Sequence, residues 1–418
     1  MTTTAELQRR TLRVLVVAQV LSGAGLAAGI TVGALLAQDM LGSTGLAGLP
    51  SALFTAGSAL AAVGVGRISQ ARGRRPGLAT GYAVGAVGSA GVVLAAVLDS
   101  PVLLFVMLFV YGAGSATNLQ ARYAGADLAD PSRRARAIST VLVATTLGGV
   151  LGPLLAEPTG NLAHQVGVPH LAGPFLLAGA AYVAAAVVLA TRLRPDPLLT
   201  AREIADEAAA ASAGLGPTVG TDGVGRGVAL GAVVMVLTQA VMVAIMTMTP
   251  VHMHDHGHGT GASGLVIAVH VAAMYLPSPL TGRLVDRVGR TSMALVAGST
   301  LLAAGLVAGF APDDSVVLLA LALALLGLGW NVGLVSGTAI ITDAVPLATR
   351  ARTQGRVDVS LAVAGAGGGL MSGVVVDLAS YSALSFGGGL LALAIVPAIV
   401  AGARSRTPAV ALSAPRGR

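Results

Sequence analysis

The chain consists mainly of continuous apolar segments, each about as long as a bilayer is thick. A spanning helix needs roughly 20 predominantly apolar residues, and twelve segments of that size follow one another. They cover about 12–38, 46–65, 77–97, 101–122, 137–156, 172–191, 228–249, 262–281, 292–310, 316–338, 357–377 and 383–403. Because these runs do not alternate apolar with polar residues, β-barrel strands are excluded. The sequence therefore predicts an all-α membrane protein with twelve transmembrane helices.

The composition excludes several functional classes. Only 10% of residues are charged, against about 25% in a soluble domain, so most of the surface must face lipid. The absence of cysteine excludes disulfides, thiol nucleophiles and cysteine-ligated metals. All 25 basic residues are arginine. The phosphate-binding loop of an ATP-driven pump requires a lysine, so this chain cannot contain one. No enzyme motif is present, no cofactor is predicted, and 3% aromatic residues offer no stacking platform for nucleic acid.

The distribution of arginine predicts the orientation. With twelve spans, every arginine falls in the two terminal tails, in the four short loops on their side of the membrane, or in the long central connection. Arginine accumulates on the cytoplasmic side of membrane proteins, so both termini are expected in the cytoplasm of a bacterial cell, with the protein in its inner membrane. The opposite loops carry only acidic charges: Asp39, Asp99, Asp255, Asp313 and Asp314.

The chain is predicted to contain two related halves. Residues 1–191 and 228–403 each hold six spans, residues 192–227 form a polar linker with room for one short surface helix, and residues 404–418 form a tail. A constant offset of 216 residues pairs Asp127 with Asp343 and Arg134 with Arg350. Parallel repeats of this kind are typical of large secondary transporters.

One loop motif occurs once in each half. The stretch from Gly282 to Arg290 (GRLVDRVGR) lies after helix 8, and a weaker copy lies after helix 2, between Gly66 and Arg75. Its two glycines suit a tight turn. The motif resembles the signature of the major facilitator superfamily, and Gly148–Pro153 (GGVLGP) in helix 5 is similar to the motif of the family's antiporters, mostly drug exporters.

The resemblance implies a gate on the inner side. Asp286 is expected to contact the start of helix 5 in the other half, near Arg134, and to release it when the inside opens; the alternative is that these charges only anchor the loop. The expected gating set is Gly282, Asp286, Arg287, Gly289, Arg290, Gly66, Gly73, Arg74, Arg134, Arg350, Gly152 and Pro153.

Two positions depart from the family pattern. In the first-half loop the aspartate and the arginine that follows it are replaced by Gln70 and Ala71, so the equivalent contact is expected to be weaker or absent. Helix 4 lacks the arginine that the family's proton antiporters carry about 19 residues before Asp127. Arg122 lies near the end of helix 4 and is not an obvious replacement.

Polar and aromatic side chains inside the spans are the candidates for substrate binding. An ionisable group at mid-membrane depth, such as His270, is a functional candidate by default, although a neutral histidine bonded to a backbone carbonyl is the alternative. Methionines and one glutamine share a face of helix 7, where packing is the competing interpretation. The set is Gln19, Tyr111, Asn118, Gln239, Met242, His270, Trp330 and Asn331.

Three groups are candidates for carrying a proton. His270 titrates near neutral pH, and Asp39 and Glu157 lie at the outer ends of helices 1 and 5, where they could also be ordinary solvated carboxylates. A histidine-rich stretch, residues 252–258, follows helix 7. It could capture a metal or sense pH, but an incidental weak site is the favoured interpretation, and no metal site is predicted.

Together these features predict a secondary transporter that works by alternating access around a midplane cavity lined by helices 1, 4, 7, 8 and 10. The expected activity is proton-coupled efflux of small, mostly apolar compounds. Its partners are then the small-molecule substrate, the lipid bilayer and H+, with a monomer as the expected state. A metal or metal-chelate exporter, a nutrient uptake carrier and a membrane sensor that does not transport are the alternatives.

Overall fold

The computed structural model describes residues 3–31, 36–37, 39–40, 49–211 and 222–404. Over these residues the chain is helical and contains no strand. The α-helices, labelled α1 to α16 in chain order, are Thr4–Thr31, Leu49–Arg72, Arg74–Val97, Pro101–Ala126, Arg134–Leu154, Ala156–Gln165, Gly173–Arg192, Pro197–Ala211, Asp222–Asp255, Thr260–Tyr275, Ser278–Val288, Arg290–Phe310, Val316–Ala344, Arg350–Leu378, Tyr381–Ala392 and Ile395–Arg404. We call α1–α7 the amino half and α9–α16 the carboxyl half.

The predicted fold class is confirmed. Within the described residues, nine helices are long and apolar enough to cross a membrane, and the bent pair α10–α11 makes a tenth span. The two remaining predicted spans correspond to α1 and α5, which are helical over 28 and 21 residues. The helices are therefore consistent with twelve crossings.

Span 8 differs from its prediction because it is broken. Helices α10 and α11 meet at an angle of 40°, where Pro277 and Pro279 cannot donate the backbone hydrogen bonds of a continuous helix. Asn331 stabilises the break from α13, since its Nδ2 donates to the Met274 carbonyl at 2.7 Å and to the Ser278 hydroxyl at 2.6 Å. Other boundaries also move: α9 begins inside the predicted linker, and Glu157 lies in the separate short helix α6.

Only one of the two glycines in each copy of the loop motif makes the expected tight turn. Helix α11 continues to Val288, so Gly289 alone makes the turn, with a φ of 108°. Gly73 does the same between α2 and α3, with a φ of 96°. Only glycine adopts this backbone conformation without a steric penalty.

The first glycine of each motif serves a different purpose, which is close helix contact between the halves. A Cβ at Gly282, inside α11, would lie 2.7 Å from the Ala135 carbonyl of α5. A Cβ at Gly66, inside α2, would lie 2.9 Å from the Ala351 carbonyl of α14. The backbones of α11 and α5, and of α2 and α14, therefore pack against each other with no side chain between them.

The expected linker helix is present as α8 and is joined to the amino half. The Asp196 carboxylate just before α8 accepts hydrogen bonds from the backbone N–H of Arg75 at 2.7 Å and of Leu198 at 3.0 Å. Arg202 donates from α8 to the Gln70 carbonyl at 3.1 Å. The linker helix therefore covers the turn between α2 and α3.

A pair of glycine substitutions on α14 tests the close packing. A Cβ at Gly355 would lie 2.6 Å from the Ala62 carbonyl of α2, whereas a Cβ at Gly373 meets nothing within 4 Å. Gly373→Ala should stabilise the folded protein slightly, by up to about 1 kcal/mol, because alanine has the higher helix propensity. Gly355→Ala should instead destabilise by about 1–3 kcal/mol through overpacking. Apparent melting temperatures of the two purified variants measure the difference, and equal values would contradict the contact.

Candidate functional site

The helix ends that carry the arginines of the repeated motif meet at one end of the bundle, which we call the arginine face. It is formed by the last residues of α2, α4, α11 and α13 and by the first residues of α3, α5, α12 and α14. Here the two halves are joined by a set of polar contacts that we call the latch. The latch is centred on Asp286 and Gln70 and includes the arginine–aspartate pairs beside them.

Asp286 caps a helix of the other half. Its carboxylate accepts hydrogen bonds from the backbone N–H of Ala135 at 3.1 Å and of Arg136 at 2.9 Å, in the first turn of α5. First-turn N–H groups lack partners within their own helix, and the positive end of the helix dipole favours an anion there. The contact expected between Asp286 and the start of helix 5 is present, and its release as a gate stays a prediction.

Gln70 makes the equivalent contact in the other motif copy, contrary to the expectation that it would be weaker or absent. Its Oε1 accepts from the backbone N–H of Ala351 at 2.9 Å and of Arg352 at 3.3 Å, in the first turn of α14. Its Nε2 donates to the Ala348 carbonyl at 2.6 Å. An amide can replace the carboxylate because it supplies the same acceptor atom and adds a donor.

Two aspartates flank the caps, each paired with two arginines, and the two sets follow the offset of the repeat. In one copy Asp343 contacts Arg290 at 2.9 Å and Arg134 of the other half at 2.6 Å. In the other copy Asp127 contacts Arg74 at 2.7 Å and Arg350 of the other half at 3.8 Å. The copies differ in burial, since the Arg74 and Asp127 side chains are fully buried while that of Asp343 is 33% exposed. Arg287, also in the predicted gating set, is exposed.

A further ion pair lies deeper in the bundle and was missed from the sequence. Nη2 of Arg122 in α4 donates to Oδ1 of Asp358 in α14 at 2.7 Å and to the Tyr123 hydroxyl at 2.9 Å, and its Nε donates to the Thr338 hydroxyl at 3.1 Å. Both charged side chains are buried, at 0% and 2% exposure. Asp358 Oδ2 has no hydrogen-bond partner. A buried carboxylate that joins the halves is an expensive arrangement and a functional candidate.

The candidates in the carboxyl half include a small aromatic and amide cluster, in which Trp330 is only 5% exposed and belongs to the core. Nε1 of Trp330 donates to Oε1 of Gln239 at 2.8 Å, and the Trp330 ring meets the Tyr275 ring edge-on at 5.7 Å. Gln239 is half-buried, whereas Met242 is 4% exposed and belongs to the core. Asn331 is fully buried at the α10–α11 break. Of these four, only Trp330 and Gln239 are brought together.

The candidates in the amino half bond to one another inside the helix bundle. Oε1 of Gln19 accepts from the Tyr82 hydroxyl at 2.7 Å, and its Nε2 donates to the Asn118 carbonyl and the Thr145 hydroxyl, each at 3.0 Å. Gln19 is fully buried and Asn118 is 6% exposed. Tyr111 packs edge-on against Phe175 at 5.3 Å. These side chains join helices α1, α3, α4 and α5, and a substrate role for them stays a prediction.

The three predicted proton carriers lie in different settings. Nδ1 of His270 is 2.8 Å from the Leu323 carbonyl of α13, and the ring is buried between the helices, as in the alternative of a carbonyl-bonded histidine. Asp39 is exposed, and the exposed Glu157 is 4.0 Å from Nε2 of His170. The side chains of Gly152 and Pro153 fall outside the described residues, although α5 is helical there.

Comparison with known proteins identifies the family. A family model described as Major Facilitator Superfamily matches residues 15–274 and 228–417. An uncharacterized MFS-type transporter, YdeG of Bacillus subtilis, is 58% identical over 396 residues, which are 94% of this chain and 92% of that protein. The chain belongs to the major facilitator superfamily.

Two further matches support this assignment. The riboflavin transporter RfnT of Brucella anthropi is 31% identical over 367 residues, 85% of this chain and 86% of that protein. The crystal structure of the human organic anion transporter MFSD10 superposes with a TM-score of 0.75 at 18% identity, over 94% of this chain and 99% of that chain. This MFS protein is thus a multi-pass membrane protein of a transporter family and not an enzyme, as the sequence predicted.

In this MFS protein, the contacts that join the halves lie on one side. Among the described residues, the hydrogen bonds and ion pairs between the two halves all involve the latch or the Arg122–Asp358 pair just inside it. The protein is therefore closed at the arginine face.

The sequence contained a signal for the Arg122–Asp358 pair that was missed, because Asp358 is a single carboxylate near the start of an apolar span.

Two substitutions at Asp286 test the latch. Asp286→Ala removes both acceptors for the first turn of α5, so the arginine face should open in a larger share of molecules. Asp286→Gln should keep most of the closed state, because Gln70 already forms the equivalent cap with an amide. Spin labels at Arg133→Cys and Arg287→Cys, both exposed and on opposite halves, report the distance between the halves by double electron–electron resonance. The chain has no native cysteine to interfere with labelling. Identical distance distributions in all three proteins would contradict a role for the cap.

Proposed function

We propose that this protein is a secondary transporter that exposes a central site alternately to the two sides of the membrane, with the arginine face in the cytoplasm. The observation that supports it most directly is the latch. Its contacts join the halves at one end of the bundle, and they consist of helix caps and ion pairs that water can replace at modest cost, about 0.5–2 kcal/mol for a cap. Breaking them while closing the opposite end is the rocking motion that two-bundle transporters use.

We infer that the substrates are small, mostly apolar organic compounds with an aromatic part. Trp330 is buried beside Tyr275 in this closed state, and a substrate would stack on its ring once the halves rearrange. The half-buried Gln239, whose Oε1 accepts from Trp330, would supply its amide N–H for one hydrogen bond. The relative RfnT is named as a riboflavin transporter, which is compatible with a substrate of this class. Efflux is the proposed direction, and it is supported by the antiporter-like motif of helix 5.

A two-stage experiment tests both parts. Because Trp330 is the only tryptophan of the chain, quenching of its fluorescence reports compounds that bind beside it, with Trp330→Phe as the control. Compounds that bind are then offered to proteoliposomes. Accumulation driven by an acid interior is expected, because protons leave as substrate enters. Accumulation driven by an acid exterior would indicate symport and uptake. No gradient-driven accumulation of any compound that binds would overturn the proposed transport.

We propose that Asp358 couples transport to protons. It is buried, it lies between the halves, and only one of its two carboxylate oxygens is bonded. Arg122 neutralises the carboxylate while the arginine face is closed. The pair must part before the halves can separate there. For efflux in exchange for protons, Asp358 takes up a proton from the opposite side while the arginine face is closed, which neutralises it and releases Arg122, and it gives that proton up to the cytoplasm once the face is open and the carboxylate is hydrated. The position of Asp358 thus links a protonation change to the conformational change.

The substitution Asp358→Asn tests this coupling. The amide keeps the shape of the side chain and still accepts from Arg122, but it cannot gain or lose a proton. We expect quenching of Trp330 fluorescence by substrate to be retained, exchange of substrate across the membrane at equal pH to continue, and accumulation driven by a pH gradient to disappear. Accumulation equal to that of the unmodified protein would contradict the role.

The control for this variant lies on the same helix. Asp377 is exposed near the other end of α14, so Asp377→Asn removes the same charge and should leave the gradient-driven step intact.

If Asp358→Asn folds poorly because Arg122 loses its counter-charge, the double substitution Arg122→Gln with Asp358→Asn removes both charges. It should again exchange substrate without responding to the gradient.

A further inference from the structure

Three ligating side chains converge on the face opposite the arginine face. His252 lies in the last turn of α9, His256 follows the end of that helix, and Asp313 lies in the loop between α12 and α13. Nε2 of His252 is 3.4 Å from Asp313 Oδ1, and Nε2 of His256 is 3.4 Å from Asp313 Oδ2. The ligand atoms of all three residues lie within 4.8 Å of one another. The two histidines therefore contact the same carboxylate.

The hydrogen bonding of His256 leaves a lone pair directed at that carboxylate. Its Nδ1 is 2.8 Å from the His252 carbonyl, and a carbonyl only accepts, so Nδ1 must carry the hydrogen. In the neutral ring the hydrogen is then absent from Nε2. Nε2 and Asp313 Oδ2 are both acceptors, and two acceptors 3.4 Å apart repel unless a cation lies between them.

The surrounding contacts hold the three side chains in place. The His252 ring stacks on the Tyr381 ring of α15, with centroids 4.3 Å apart and an interplanar angle of 12°. Nε2 of His258 contacts the Asp313 backbone carbonyl at 2.8 Å and so fixes the loop. The Asp313 side chain is 62% exposed, so an ion can reach it from water. Outer contacts of this kind orient metal ligands and fix their tautomers.

We propose that His252, His256 and Asp313 bind a divalent transition-metal ion, of which Zn²⁺ is the best match. A tetrahedral zinc site with bonds of about 2.0–2.1 Å separates its ligand atoms by about 3.3–3.4 Å. Each imidazole Nε2 lies 3.4 Å from one oxygen of Asp313, a different oxygen for each histidine, so a small rotation of the carboxylate would present one oxygen to an ion held by both rings. Two imidazoles and one carboxylate favour zinc over Ca²⁺ or Mg²⁺, which prefer oxygen ligands. Three protein ligands leave a fourth position for water or another small ligand.

The location of the site indicates what a bound ion does. A bound ion would connect the end of α9 to the α12–α13 loop, beside α15. All of these elements belong to the carboxyl half. A metal ion there stiffens one half without joining it to the other, so it leaves the two halves free to separate. The metal site does not depend on the proposed substrate or on the proposed proton coupling. If transport fails its test, the metal site is unaffected, and the reverse also holds.

Zinc titration of the full-length protein in lipid nanodiscs tests the proposal. The protein is prepared without a polyhistidine tag, and binding is followed by calorimetry and by the visible absorption of Co²⁺ as a probe of tetrahedral coordination. We expect one equivalent of Zn²⁺ to bind in the micromolar range or tighter. His256→Ala and Asp313→Asn should each weaken binding by at least about tenfold.

Two neighbouring residues supply matched controls. His254→Ala removes a histidine from the same stretch, and Asp314→Asn removes the adjacent acidic charge, but neither residue belongs to the cluster. Both variants should bind Zn²⁺ as the unmodified protein does. Absence of micromolar binding would overturn the proposal and leave a protonated His256–Asp313 ion pair as the arrangement. Equal weakening by His254→Ala would also overturn it, because it would indicate diffuse binding by the whole histidine-rich stretch.

Discussion

The first turns of α5 and α14 require acceptors for backbone N–H groups that have no partner in their own helices. When the halves are closed against each other, water is excluded from these groups, and a buried N–H group without a partner is costly. In this protein the acceptors come from the opposite half: Asp286 serves α5, and Gln70 serves α14. A local requirement of helix structure thereby becomes a contact between domains. The close glycine packing at Gly66 and Gly282 brings the helices near enough for these caps to reach.

The two copies of the latch share a geometry but differ in their surroundings. The Arg74–Asp127 pair is fully buried, while Asp343 and its arginines are partly exposed to water. Exposed pairs are screened by salt and contribute little to stability, whereas removing one partner from a buried pair is strongly destabilising. Both partners of the buried pair belong to the amino half, so it stays intact when the halves separate. The latch ion pairs that must break are Arg134–Asp343 at 2.6 Å and Arg350–Asp127 at 3.8 Å.

Much of the fold could be predicted from the sequence because the determining patterns are local. Long apolar runs, the one-sided distribution of arginine and the offset of 216 residues are each readable without coordinates, and they identified the helices and the repeat. The contact of Asp286 with α5 was also predicted, from the resemblance of its loop to a known motif. Gln70 was misjudged, because a missing charge was taken to mean a missing contact.

The deeper polar site was not predicted because it depends on where helices begin and end. Placing the start of span 11 at residue 357 put Asp358 at the membrane surface, where a carboxylate is unremarkable. Helix α14 begins at Arg350, which moves Asp358 two turns inward, and α4 extends past Arg122 to Ala126. For Gln19 and Asn118 the difficulty was different: an amide inside a span can face a cavity or join helices, and the sequence does not distinguish the two.

The chemical difference between Asp286 and Gln70 has a consequence for how the halves are held together. A carboxylate loses its charge in acid, and with it the attraction to a helix dipole, whereas an amide is unchanged over the whole biological pH range. The cap on α5 therefore depends on a charge and the cap on α14 does not. The two pseudo-symmetric seams have the same geometry but are held by interactions of different electrostatic character, so salt, which screens charges, acts on them unequally.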